Sequence, residues 1–159
     1  MKPMRRSELK LSTDQALSIL KHNSHGVLSL VLPDGTPYGV PLNYGYFDHK
    51  IIMHAALTGL KLDAISVHPH ACFTVIHKAE VDIAHLSTLY ASVIAFGKVE
   101  LITEPIKKHH LLTQMLNHYG VSESMAAHAL KVDAPQTVVL LLTIDELTAK
   151  GYSQALEDI

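Results

Sequence analysis

Tryptophan is absent from this 159-residue sequence, and cysteine occurs once, at Cys72. A lone cysteine excludes an intrachain disulfide, which suits a reducing compartment. Cys72 lies in the apolar run Ala71-Cys72-Phe73-Thr74-Val75-Ile76 and reads there as a buried, inert thiol rather than a nucleophile. No apolar stretch reaches the roughly 18–20 residues needed to span a bilayer. The N-terminus carries no apolar signal-peptide core, so the expected location is cytoplasmic, with no membrane partner. Charge of one sign is also scarce. Charged residues make up 18% and the formal net charge is -2, which gives no general drive toward nucleic acid or anionic lipid. The one locally basic stretch, Lys2, Arg5, Arg6 and Lys10 against Glu8, reads as a solvated arm. Repeats, low-complexity tracts and Pro/Gly-rich linkers are missing, so residues 1–159 read as one domain.

What is present is a globular composition, 48% hydrophobic, with clear local patterning. Ser12-Thr13-Asp14-Gln15 has the form of a capping box and opens a short helix to about Lys21. Gly26 to Leu32 reads as a strand. Pro33-Asp34-Gly35 turns it into a second strand, Pro37 to Phe47, because Pro presets φ and Gly accepts a positive one. Asp48-His49 turns again into Lys50 to His54, which predicts an antiparallel three-stranded meander. A short helix follows over Thr58 to Ser66, then strands over His70 to Ile76 and Leu89 to Ile102. Glu104-Pro105 opens a helix with Pro at its first position, running to about Tyr119. A further helix covers Ser122 to Lys131. A last strand runs from Thr137 to Ile144, continuing toward Lys150 through a bend.

This order does not alternate strand and helix, which argues against a doubly wound parallel sheet. About six mostly antiparallel strands with peripheral helices predict an α+β, mainly β fold: a closed or nearly closed six-stranded barrel. Val138 to Leu142 and Ser92 to Phe96 are apolar without alternation, so both faces of each run need cover. A barrel interior covers one face. The other calls for a helix or a second subunit, and a homodimer is the favoured expectation.

Two segments are chemically suggestive. His54-Ala55-Ala56-Leu57-Thr58-Gly59-Leu60-Lys61 runs from a strand end into a helix start. A helix N-terminus carries unpaired N–H groups and partial positive charge, which suits phosphate. Thr58 adds a hydroxyl and Lys61 an ammonium, while Ala55 and Ala56 leave room for a flat ring. The same segment also reads as an ordinary strand–helix connection with a solvated lysine. In Pro37 to Tyr46, Pro41 removes a ladder donor and marks an edge or disrupted strand, where free main-chain groups can meet a ligand. That stretch equally reads as an edge strand whose aromatics pack the core.

Four motifs occur in order: Arg5-Arg6; Asp34-Gly35-Thr36-Pro37-Tyr38-Gly39-Val40-Pro41-Leu42-Asn43-Tyr44; His54 to Lys61; and Tyr90-Ala91-Ser92-Val93-Ile94-Ala95-Phe96-Gly97. Together, over about residues 4–150, the chain resembles the FMN-binding split-barrel proteins related to pyridoxamine 5′-phosphate oxidase. Within them it is most similar to the 5-nitroimidazole-resistance branch. The resemblance implies a dimeric split barrel with two FMN sites at the subunit interface. It sets Val40, Pro41, Leu42, Asn43 and Tyr44 beside the flavin ring, and His54, Ala55 and Ala56 along the ring or ribityl chain. Thr58, Gly59 and Lys61 belong at the phosphate, and Ser92 contacts cofactor across the interface. It implies an oxidoreductase in which NAD(P)H supplies electrons and a nitroaromatic or other small electrophile takes them. The alternative is a non-catalytic flavin or haem binder, since the family also has haem- and deazaflavin-binding members. The substrate-phosphate residues of true pyridoxamine 5′-phosphate oxidases are not located here, which argues against a vitamin-B6 substrate.

Twelve histidines raise the question of metal. His22-x-x-His25, His68-Pro-His70 and His109-His110 lack the companions of a dedicated zinc site, so no metal is expected. His54 stands apart because it adjoins the proposed cofactor seat, where it reads either as a proton donor or substrate-positioning group or as a plain wall residue.

Overall fold

A computed structural model describes residues 4–159; Lys2 of the basic stretch lies outside the described residues. Helix α1 (Thr13–His22) starts on the predicted capping box: the Gln15 amide donates to Ser12 Oγ at 3.2 Å, and the Ser12 amide to Gln15 Oε1 at 2.9 Å. Ala16, Ile19 and Leu20 bury its inner face. The charged side chains of Arg5, Arg6, Glu8 and Lys10 before it are exposed, as a solvated arm would have them, but the backbone there is docked. Leu9 and Leu11 are buried, and Lys10 forms a β-bridge with Lys150.

Seven strands form one antiparallel sheet: β1 (His25–Val31), β2 (Pro37–Asn43), β3 (Gly45–Phe47), β4 (Lys50–Ala56), β5 (His70–Asp82), β6 (Ser87–Ile102) and β7 (Thr137–Gly151). Their order is β2-β1-β5-β6-β7-β4-β3, and the sheet is not closed. The expected count of six becomes seven because Tyr44 interrupts the predicted strand from Pro37 to Phe47. The Tyr44 ring is fully buried, its hydroxyl donates to the Leu20 carbonyl at 2.9 Å, and its ring meets Phe73 edge-on at 5.0 Å. Next to it, Gly45 sits where a Cβ would lie 2.7 Å from Met115 Cα. The expected meander is therefore wrong. β1 and β2 form a hairpin, but β2 and β3 are the two opposite edges of the sheet, and Tyr44 carries the chain between them.

The inward faces of the strands form the main core, joined by α1 and by α2 (Leu60–Val67), whose Ala64 and Ile65 are buried. Gly97 marks a register shift in β6, where a Cβ would lie 1.9 Å from the Thr143 carbonyl oxygen. That backbone approach admits only glycine.

The two non-alternating runs have different fates. Val139 and Leu141 of β7, with Ile52 of β4 and Ile102 of β6, lie beneath α3 (Pro105–His118) and α4 (Glu123–Asp133) through Leu111, Leu112, Met115 and Leu130. Burial of each such side chain contributes about 1.5–3 kcal/mol, which fixes the helix pair to the sheet. On β6, Ala91, Val93 and Ala95 fill the core, whereas Ser92, Ile94 and Phe96 face outward, half-buried. Their sheet neighbours Cys72, Thr74 and Ile76 continue this face, and Ile76 is 58% exposed. Cys72, expected to be buried, is half-buried there. No helix of the structure is long and apolar enough to cross a membrane.

Beyond Ala91 the β5–β6 pair extends alone as a two-stranded hairpin, longer than the sequence pattern indicates. Its end exposes Val81, Ile83 and Leu86.

Candidate functional site

The opening in the sheet lies between two free edges. β2 pairs only with β1, through Pro37 to Asn43. β4 pairs along its whole length with β7, but β3 covers only Lys50 to Ile52. Met53 to Ala56 therefore have no strand partner on that side among the described residues. Main-chain groups on such an edge are available to a ligand. Pro41 is compatible with its position because β2 is an edge strand.

Pleating decides what each predicted residue presents. Val40 and Leu42 turn toward the core and are half-buried, while Pro41 and Asn43 lie exposed on the outer face. Tyr44 belongs to the core, as described above. On β4, Ala55 points inward and is buried, whereas His54 and Ala56 are exposed on the opposite face.

Past β4 the chain reaches Thr58 and Gly59, both exposed, and then α2. The predicted helix start at Thr58 moves to Leu60, with Gly59 as its N-cap at φ 136° and ψ 164°. Only glycine adopts that backbone readily. The space in front of it is open, since a Cβ there would meet nothing within 4 Å. The Leu62 and Asp63 amides donate back to the Gly59 carbonyl at 2.9 and 3.3 Å. Among the described residues, no protein acceptor takes the amides of Thr58, Gly59, Leu60 or Lys61. Lys61 is half-buried and in no ion pair among the described residues. Four free amides, an ammonium and an open glycine fit a phosphate.

Ser92 lies elsewhere. On β6 it pairs with Ile76 and Lys150, ten residues below Ile102. Ile102 pairs with Val139, and Val139 with His54. At about 3.3 Å per residue, Ser92 is roughly 30 Å down the strand from the level of His54.

Comparisons with known proteins identify the family. Against protein-family models, residues 12–151 match the family described as Pyridoxamine 5′-phosphate oxidase. The chain belongs to that family. Among solved structures, this oxidase-family chain is similar to a Bacteroides thetaiotaomicron protein named for 5-nitroimidazole antibiotic resistance. The two are 22% identical with a TM-score of 0.75, covering 89% of this chain and 86% of that one. It is similar to an FAD-binding protein from Mesorhizobium loti at 20% identity and TM-score 0.67, covering 91% and 97% of the two chains. It is also similar to an FAD- and haem-binding protein from Mycobacterium smegmatis at 19% identity and TM-score 0.71, covering 93% and 75%. Comparison with curated protein sequences finds no match.

Sequence reasoning missed the cavity beside His54. It has a volume of about 90 Å³ and lies against α3 and α4, lined by Met115, Leu116, Tyr119 and Ala129 among others, with His54 and Thr137 on the strand side. Among the described residues the buried Tyr119 hydroxyl has no hydrogen-bond partner, and desolvation pushes its phenol up to about 12. The one available signal was the both-faces-apolar run of β7, which required a cover without specifying the cavity beneath it. Two histidines tie the fold together. His118 accepts from the Tyr46 amide at 3.3 Å and donates to the Asn23 carbonyl at 2.8 Å, steadying the chain on both sides of Tyr44. His77 bridges Asn23 at 3.2 Å and Asp158 at 3.1 Å. Among the described residues, no group of three or more His, Cys, Asp or Glu is arranged to hold a metal.

Proposed function

We propose that this protein binds FMN at the split in its sheet and works as a flavin-dependent oxidoreductase of a homodimer. The observation that carries the reading is the anion seat at Thr58 to Lys61, which adjoins the free edge of β4. The amides of Leu60 and Lys61 and the Lys61 ammonium would hold the phosphate, and Gly59 lets it approach the main chain. Ala56 leaves space for the chain between phosphate and ring. On the other side of the opening, the edge of β2 from Val40 to Asn43 offers main-chain groups to the polar rim of the ring. Tyr44 has no part in this wall except through its backbone.

The face of β5 and β6 supports the dimer. Ser92, Ile94, Phe96 and Ile76 form an uncovered face, half-buried to exposed. Ser92 lies on that same face, so pairing of two copies through it would bring Ser92 into the interface. Flavin, when bound, supplies hydride transfer, and NAD(P)H and a nitroaromatic or other small electrophile are the proposed donor and acceptor. His54, exposed on the β4 face beside Ala55, is the residue placed to hold or deliver a proton to that acceptor.

Neighbours that bind haem with flavin support a second reading, a non-catalytic flavin or haem carrier. Titration with FMN, followed by quenching of flavin fluorescence and paired with light scattering, tests the main reading. It predicts saturation at one FMN per chain and a mass of two chains. Unquenched flavin, or a monomeric mass at micromolar concentration, overturns it.

A further inference from the structure

We propose that Lys10 and Lys150 form a binding site for a diphosphate group, apart from the seat at Thr58 to Lys61. The two lysines pair across an antiparallel bridge between the N-terminal segment and the end of β7. Partners in such a bridge stand about 4.5–5.5 Å apart at Cα and point to the same side of the sheet. Their chain neighbours Leu9, Leu11 and Ala149 are buried, so both lysines turn outward, Lys10 exposed and Lys150 half-buried. Like charges directly opposite each other are destabilising. Folds keep such local conflicts mainly where function requires them, and an anion between the two ammoniums would relieve this one.

The protein does not neutralise the pair itself. Neither lysine is in an ion pair among the described residues. Glu8 is near, but its carboxylate is held by Arg6 at 2.8 Å. That bond is what chiefly keeps Glu8 below the usual glutamate range, with Lys150 a minor contributor. The Lys150 ammonium lies 6.0 Å from the centre of the Tyr90 ring, which itself meets Tyr152 edge-on at 5.8 Å. A cation over an aromatic face is held there, so Lys150 presents its charge from a defined place. Lysine ammoniums act as compact point charges with several donors each. A diphosphate carries charge on both phosphoryl groups and meets the two ammoniums at once, whereas a monoanion meets one. The group could belong to a nucleotide, whose base would find ring surface at the half-buried Tyr90 and Tyr152, or to free pyrophosphate. The site requires neither flavin nor a second subunit.

Amide NMR of the purified protein tests this by titration with pyrophosphate and with ADP, against sodium chloride at matched ionic strength. Both diphosphates are expected to shift the signals of Lys10, Leu11, Lys150 and Gly151 saturably. Signals of Gly59 to Lys61 report separately on the FMN seat, so either site can fail without the other. Lys10→Gln and Lys150→Gln should each weaken binding about two- to fivefold, the worth of an exposed ion pair, and the double variant should abolish it. Without ligand, each single variant should melt above wild type at low salt, because the repulsion is gone, and the gap should close as salt rises. Tighter binding of ADP than of pyrophosphate assigns the group to a nucleotide, and equal binding assigns it to free diphosphate. No saturable shift at Lys10 and Lys150, shifts that chloride reproduces, or unchanged affinity in both single variants overturns the site.

Discussion

Replacing Lys61 with alanine separates a phosphate seat from an ordinary helix start. Lys61 is half-buried on the first turn of α2 and makes no ion pair among the described residues, so its removal breaks no charged contact within the described fold. A charge-assisted hydrogen bond is worth about 1.5–3 kcal/mol, which is roughly ten- to 150-fold in affinity. The free amides of Thr58 to Lys61 remain in the variant, so FMN binding should weaken without vanishing. Riboflavin, which lacks the phosphate, is the internal control. Fluorescence titration of both ligands against both proteins should give a Kd ratio of about ten to 150 for FMN and near one for riboflavin. The FMN penalty should shrink as salt rises, because a half-exposed ammonium is partly screened. Equal FMN affinity in the two proteins refutes the seat. An equal loss for riboflavin would make Lys61 a structural residue instead.

Further outcomes follow from the same structure. Tyr44→Phe removes the bond to the Leu20 carbonyl and should lower stability by about 0.5–3 kcal/mol, depending on how well that carbonyl is resatisfied; a denaturant midpoint equal to wild type would contradict its role in pinning the edge-to-edge crossing. Ile76→Glu changes an exposed residue on the uncovered face and should yield a folded monomer with weakened FMN binding, read by light scattering and titration; an intact dimer would remove that face from the interface. At the start of α3, the Lys107 and Ile106 amides donate to Glu104 at 2.6 and 2.9 Å and hold its carboxyl below the usual glutamate range. Its contribution is therefore complete above about pH 5 and is lost as pH falls through the lowered value. The stability gap between wild type and Glu104→Gln should close on acidification from pH 6, and a gap independent of pH would contradict the cap.

The parts of the fold set by local rules were legible in the sequence. The Ser12–Gln15 capping box, the Pro33-Asp34-Gly35 turn and Pro105 at the start of α3 each act over a few residues, and each stands where expected. What local rules could not supply was pairing. Tyr44 is itself a strand former inside the span expected as one strand, and its bond to Leu20 and contact with Phe73, both distant in sequence, fix it as the end of β2. The meander was lost with it. Residues 77–88 gave no strand signal because their apolar members stay exposed on an unsupported hairpin, so no buried face imposed a period of two. The candidate site divides in the same way. Thr58, Gly59 and Lys61 lie within four consecutive residues, and their free amides follow from being at a helix start. Ser92 entered through family resemblance, and its place ten residues along β6 from the level of His54 is visible only in the register of β6, β7 and β4. Tyr119 and the cavity depend on how two helices rest on a sheet, which no spacing encodes.

The most direct test of the flavin claim is the absorbance spectrum of the protein as purified from cells, followed by mass spectrometry of whatever heat or acid releases. The account predicts the two-band spectrum of an oxidised flavin and a released mass equal to FMN. A haem Soret band without flavin, or a colourless protein that stays colourless after incubation with FMN and desalting, would contradict it.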